Sequence, residues 1–254
     1  MSVLVVLTVI LFLAMRWVGE ERGTISFVSL FLNLGLMFIT VLFITNGFPP
    51  LVITLIASLA ISSVNLFFIN QMNSKTIVAF IATILTLVIV LLLIFYVVNK
   101  LKVQGLGEDE LFEMDMYSLK VGIDFVTISS CMIVMSTIGA INDTAMSIAS
   151  GMNEVYHYDP KISQKELFLS GMRVGRDILG TTTNTLFFAF LGSSLALLIW
   201  VKDLNYSVTM ILNSKVMAGE LASILFSGMG VTLIIPMTGW LMAVKLTSRP
   251  KESK

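Results

Sequence analysis

The string "GAINDTAMSIASGMNE", Gly139 to Glu154, sets two carboxylates, two asparagines and two serines beside one of the most apolar parts of the chain. On a helix advancing about 100° per residue, Ser147, Ser150 and Glu154 all fall within about 40° of Asp143. Extended backwards, Gly139 and Ser136 join the same narrow stripe, and Ile141, Ala145, Met146, Ile148 and Ala149 take the other face. A second polar stripe lies in "SGMRVGRDILGTTTNTLFFAF". There Arg173, Asp177, Thr181 and Asn184 share a face, with Arg176 adjacent and Arg173 four residues before Asp177, the spacing of an intrahelical ion pair. Glu220 opens a later apolar segment. Carboxylates that bind and release a proton or cation, next to neutral hydroxyl and amide ligands, are the chemistry of ion or proton coupling. Asp143, Ser147, Glu154, Arg173, Arg176, Asp177, Thr181, Asn184 and Glu220 are the candidate residues of such a pathway.

The elements that position them are set by composition. The 254 residues are 56% hydrophobic and 13% charged, with a mean hydropathy of +0.93; soluble domains average about 25% charged residues. Apolar runs near 20 residues, the length that crosses a hydrocarbon core of roughly 30 Å, recur along the whole chain. They do not alternate, which excludes a membrane β-barrel. The expected fold is therefore all-α: one polytopic transmembrane domain over residues 1–254. Its seven helices are expected at about 3–18, 25–44, 51–69, 76–98, 120–141 (continuing as a polar helix to 156), 178–201 and 218–244. The first run lacks the basic start of a signal peptide and reads as a retained helix. The third carries Ser58, Ser62, Ser63 and Asn65 along its length, and the seventh contains Pro236.

With the N-terminus outside, the inner segments hold 11 of the 16 Lys and Arg residues and the outer ones 5. The positive-inside rule then gives an N-out, C-in topology. The acidic string "GEDELFEMD" falls on the outer side and reads as a solvated face, since it lacks the ligand spacing of a calcium loop.

Other chemistry is thinly provided. Lys+Arg and Asp+Glu are 16 each, so no charge bias points to nucleic acid. Cys131 is the one cysteine and His157 the one histidine; the first reads as a small core residue, and the second has no companion for a metal site. There is no HExxH, P-loop or GxSxG string. No enzyme activity, metal or cofactor is expected. Small and hydroxyl residues also pack membrane helices without any transport role, so Gly139, Gly151, Gly180, Gly192, Gly228 and Gly230 read first as packing positions.

The C-terminal half, with "GAINDTAMSIASGMNE", "SGMRVGRDILGTTTNTLFFAFLGSSL" and "ILNSKVMAGELASILFSGMGVTLIIPMTG", resembles the YibE/F family of bacterial multi-pass membrane proteins. The string Gly175–Leu186 carries most of the resemblance, which is strong over residues 120–239 and less specific over 19–119. The length resembles the short, F-type member of a pair. The resemblance implies a multi-pass protein of the bacterial cell membrane, working with a second YibE/F-type protein or another copy of itself. It adds interest to Asp143, Arg176, Asp177, Thr181, Asn184 and Glu220 but implies no substrate. Two positions depart from the family pattern: Ala196 stands where members often have proline, and Ser223 where they often have arginine, which weakens any Glu220–arginine pairing.

Function is thus expected to be a secondary transporter or channel component. The alternative is a non-transporting assembly subunit whose polar stripes pair with partner helices. In the transporter scheme, the Asp143 and Asp177–Asn184 stripes face one another across a polar cavity in the inner half of the bundle. The topology is checked by a reporter fused after Lys254 and by a single cysteine placed within residues 105–113. A cytoplasmic signal from the fusion and labelling of the loop from outside are expected; the reverse result refutes N-out, C-in.

Overall fold

A computed structural model describes residues 3–101, 124–195, 199, 209 and 215–248. Every regular element among them is helical: α1 (Val3–Thr45), α2 (Pro50–Ser63) continued by one π-helical turn (Val64–Phe68), α3 (Ser74–Leu101), α4 (Phe125–Tyr158), α5 (Gln164–Ser193) and α6 (Lys215–Thr247). Five of these, all but α5, are long and apolar enough to cross a membrane. Helices satisfy their own backbone hydrogen bonds, which is what hydrocarbon demands of a spanning segment.

The count differs from seven for two local reasons. The first two expected segments form one element, broken at Glu20, whose φ of 49° and ψ of −125° leave the helical region. The break is a sharp fold-back. Phe12 and Phe27 have ring centroids 5.0 Å apart, whereas 15 residues of straight helix would separate them by roughly 22 Å. At the apex, a Cβ on Gly23 would run into the Met15 carbonyl, so the two arms meet at a point only glycine permits. The sixth expected segment, 178–201, instead starts at Gln164, and its charged first half takes α5 out of the apolar class.

Other boundaries follow their capping chemistry. "TNGFPP" breaks the chain between α1 and α2, with Gly47 at φ +87° and Pro50 in the first turn of α2, where its missing N–H costs nothing. The Asn73 side chain accepts from the backbone N–H of Lys75 and Thr76 at 3.1 and 3.0 Å and starts α3. Asp124 accepts from Val126 and Thr127 and starts α4. The helix α6 runs through Pro236 without interruption, and Pro236 is exposed. The acidic string 107–115, residues 120–123 of the fifth expected segment and residues 196–198 and 200–201 of the sixth lie outside the described residues.

The helix α4 is the hub. It packs against α2, α3, α5 and α6, whereas α1 touches only α2 and the π turn. Leu87, Val90 and Ile94 of α3 meet Ile133, Val134 and Ile138 of α4 and Ala222 and Phe226 of α6. Further along, Ala79 and Ala82 meet Ile141, Ala145 and Ile148, together with Ile234, Ile235 and Met242. These pairings run α3 antiparallel to α4, and α6 parallel to it. The helix α5 returns antiparallel to both, with Gly171 against Met152, Gly175 against Ile235 and Gly239 against Phe168.

Small residues set these crossings. A Cβ at Gly175 would collide with the branched Ile235, and one at Gly230 would lie 2.9 Å from Thr137 and Ile141 carbons. Gly151 also lies against its neighbour, with Val174 carbons 3.5 and 3.6 Å from an added Cβ, whereas Gly139, Gly180, Gly192 and Gly228 meet nothing within 4 Å. Overpacking costs about 1–3 kcal/mol per site in well-packed cores. Gly175→Val and Gly23→Ala are expected to lower the melting temperature of the detergent-purified protein, while Gly19→Ala, where a Cβ meets nothing within 4 Å, is expected to leave it unchanged. Equal melting of all three variants with the parent would refute the close approach.

Candidate functional site

The helix α4 carries polar residues on two faces that point in different directions. On one, Asp143, Ser147 and Glu154 are exposed, with Ser150 and Gly139 half-buried and Ser136 exposed on the same stripe. On the other, Asn142 is 1% exposed, Thr144 1% and Thr137 0%. Asn142 and Asp143 are neighbours in sequence, and a helix turns them about 100° apart. One side chain therefore enters the bundle and the other leaves it.

Asp143 lies near the middle of α4, 15 residues before the last helical residue, Tyr158, or about 22 Å along the axis. That is far from either end of a helix classed as a span. A carboxylate in the hydrocarbon region is costly wherever it meets lipid. Among the described residues no cation lies within 4.0 Å of it.

The outward face of α5 continues the polar surface. Its bundle-facing side is Leu167, Gly171, Gly175 and Phe190, all buried. Arg173, Arg176, Asp177, Thr181 and Asn184 are exposed on the opposite side, as are Gly180, Thr183 and Thr185. Thr181 and Thr185 donate to the backbone carbonyls of Ile178 and Thr181, each at 2.9 Å, which satisfies their hydroxyls locally. Arg173 and Asp177 share the face expected from their spacing but make no ion pair within 4.0 Å. Glu220 is half-buried near the start of α6.

The hairpin of α4 and α5 is pinned at its closed end. Asp159 to Ser163 join the helices, and the contacts Gly151–Val174 and Met152–Gly171 bring them together within about three turns of that connection. The Asp143 and Asp177–Asn184 stripes are therefore carried by adjacent helices. Both stripes are open at the surface of one chain rather than sealed within its bundle. No group of three or more His, Cys, Asp or Glu side chains with metal-binding arrangement occurs among the described residues.

The buried polar face of α4 is a second constellation, and the stripe argument alone passed over it. Asn142 Nδ2 donates to Ser62 Oγ at 3.1 Å. Thr137 and Ser227 hydroxyls share a hydrogen bond of 3.3 Å. Ser58 Oγ lies 3.7 Å from Met135 Sδ, and Asn33 Nδ2 donates to Asn65 Oδ1 at 2.7 Å. The signal was present in the sequence: Ser58, Ser62 and Asn65 stand at i, i+4 and i+7 on one helical face. Their partners on α1 and α4 needed the tertiary structure.

A YibE/F-like protein family model matches residues 7–248. The chain belongs to the YibE/F-like family. Comparisons with curated proteins and with solved structures give no match. Membership and the apolar helices together make the chain an integral, multi-pass membrane protein in contact with the lipid bilayer.

The entry to α5 is a capping box outside the spans. Ser163 Oγ accepts from the Glu166 N–H at 3.2 Å, and Glu166 Oε2 accepts from the Ser163 hydroxyl and backbone N–H at 2.7 and 3.2 Å. These bonds, from the hydroxyl first and the N–H second, hold the Glu166 carboxyl below its ordinary range. A depressed carboxyl contributes stability that is complete above its unfolded value, roughly 4.3, and is lost as pH falls through the lower folded value. Amide exchange in the first turn of α5 is expected to stay slow from pH 7 to about 5 and to accelerate, beyond the intrinsic pH trend, below roughly 4.3. In Glu166→Gln that extra pH dependence is expected to disappear; its persistence would refute the cap.

Proposed function

We propose that this YibE/F-like protein is a secondary transporter or channel component, with the exposed α4–α5 surface forming one wall of an ion or proton pathway. The observation that carries the reading is Asp143: a carboxylate midway along an apolar span, exposed on its own chain and without a cation within 4.0 Å among the described residues. Intramembrane carboxylates of this kind face a partner or water rather than lipid. Asp177 and Glu154 extend the acidic surface, Arg173 and Arg176 balance part of it, and Ser147, Thr181 and Asn184 supply neutral ligands. Glu220, half-buried on α6, stands at the margin of the scheme.

The second wall comes from another chain in this proposal, either a second YibE/F-like protein or another copy of this one. The outward face of α5 supports that reading, because its charges, glycine and threonines have no partner helix among the described residues. The same face supports a different reading, a non-transporting assembly subunit in which these residues only bind partner helices. The bacterial cell membrane is the proposed location, with an N-out, C-in topology.

Substitution separates the two readings. In the transport reading, Asp143→Asn keeps size and hydrogen bonding, so the protein is expected to fold and assemble with its parent melting temperature while ion-driven uptake into vesicles falls by at least tenfold. Asp177→Asn is expected to lower both uptake and melting temperature, because it leaves two arginines with one fewer compensating charge. Unchanged uptake in Asp143→Asn would refute the pathway. Loss of assembly without any measurable transport in the parent would favour the assembly subunit.

A further inference from the structure

We propose that Asn33 of α1, Ser62 and Asn65 at the C-terminal end of α2, and Asn142 of α4 form a binding site for a small monovalent cation. Four polar side chains from three helices converge here. Asn142 Nδ2 reaches Ser62 Oγ at 3.1 Å, and Asn33 Nδ2 reaches Asn65 Oδ1 at 2.7 Å. Ser62 and Asn65 are three residues apart, so they are neighbours on the surface of one helix. Both amide donors are thereby directed at α2, and both carboxamide oxygens are left over. Asn33 Oδ1 and Asn142 Oδ1 are buried and have no hydrogen-bond partner. A buried acceptor without a partner costs about 1–3 kcal/mol, and here there are two.

The backbone is loosened at the same place. The π turn Val64–Phe68 begins between Ser62 and Asn65, and its closing bond, Ile69 N–H to the Val64 carbonyl, is 3.4 Å long. The Asn65 carbonyl already accepts from Asn70 Nδ2 at 3.1 Å rather than serving only the helix. This π turn is the C-terminal end of α2, and helix C-terminal ends with free oxygens are how membrane transporters hold sodium.

The ligand class follows from the groups left free. The two buried atoms without a partner, Asn33 Oδ1 and Asn142 Oδ1, are both acceptors, which favours a cation over an anion. No lysine or arginine takes part in these hydrogen bonds, and the nearest formal charge along α4 is the carboxylate of Asp143, the residue after Asn142. Its field in a medium of low dielectric favours a cation. The ligands themselves are neutral oxygens with no carboxylate among them, which suits sodium or potassium and not a calcium ion, whose sites are built largely on carboxylates.

The site stands apart from the transport pathway proposed above, and its test uses no transport. The full-length protein, purified in mild detergent, is melted in sodium, potassium and choline chloride at equal ionic strength. One alkali cation is expected to raise the melting temperature saturably over choline. The half-saturating concentration is expected to rise at least tenfold in Asn142→Leu and in Asn33→Ala, the second change lying at the half-buried edge and so tolerated if the first prevents folding. Asp143→Asn is expected to keep the saturable shift. Identical melting in all three salts would overturn the site, leaving buried water as the partner of both oxygens. A shift lost in Asp143→Asn but kept in the two asparagine variants would also overturn it, by moving the cation to the carboxylate.

Discussion

The cost of an unpaired charge in hydrocarbon governs where every polar side chain of this bundle goes. Neutral groups can enter the packed interior if a hydrogen bond or a close neighbour receives them, and they do: Ser58, Ser62, Thr83, Thr86, Thr137, Asn142 and Thr238 are all buried. No charged side chain appears among the buried residues described. Asp143, Glu154, Arg173, Arg176 and Asp177 are turned outward instead. The helix α4 makes this division at one peptide bond, with Asn142 inside and Asp143 outside.

That division explains the positions of the helices around it. The helix α4 can be the hub because its only carboxylates, Asp143 and Glu154, lie on one stripe and leave its other faces apolar or neutral. The helix α5 cannot be surrounded, because half of its circumference is charged or hydroxylated, so it packs on α4 and α6 through a strip of Leu167, Gly171 and Gly175 and leaves the rest open. The glycines matter to this arrangement by bringing α5 close enough that a narrow strip suffices. At the opposite edge, α1 folds back on itself at Glu20 and presents almost wholly exposed apolar side chains, as a helix surrounded by lipid does.

The two polar constellations have different chemical uses. The outward one holds both signs of charge. The inward one holds only amides and hydroxyls, changes nothing on its own, and is loosened by a π turn where it meets α1. A protein that couples movement of a solute to an ion needs groups of the first kind to respond and groups of the second kind to bind without an electrostatic penalty.

Helical class, membrane residence and the family were legible in the sequence, because hydropathy and run length act locally and the Gly175–Leu186 string is specific. The outward stripes of α4 and α5 were legible for the same reason: a helix fixes the angle between residues once its existence is known. What local pattern does not fix is the direction in which a stripe points relative to other helices. Asp143 and Asn142 are equally polar to a reader of the string, and only the packing of Ile141, Ala145 and Ile148 onto α3 and α6 decides which enters the core. The break at Glu20 falls in the 19–24 gap between the first two expected segments, whereas the early start of α5 was hidden because charge in a first turn looks like a loop. The asparagine pairs Asn33–Asn65 and Asn142–Ser62 span 32 and 80 residues. Such partners meet through the assembly of three helices, so the tertiary structure alone decided them.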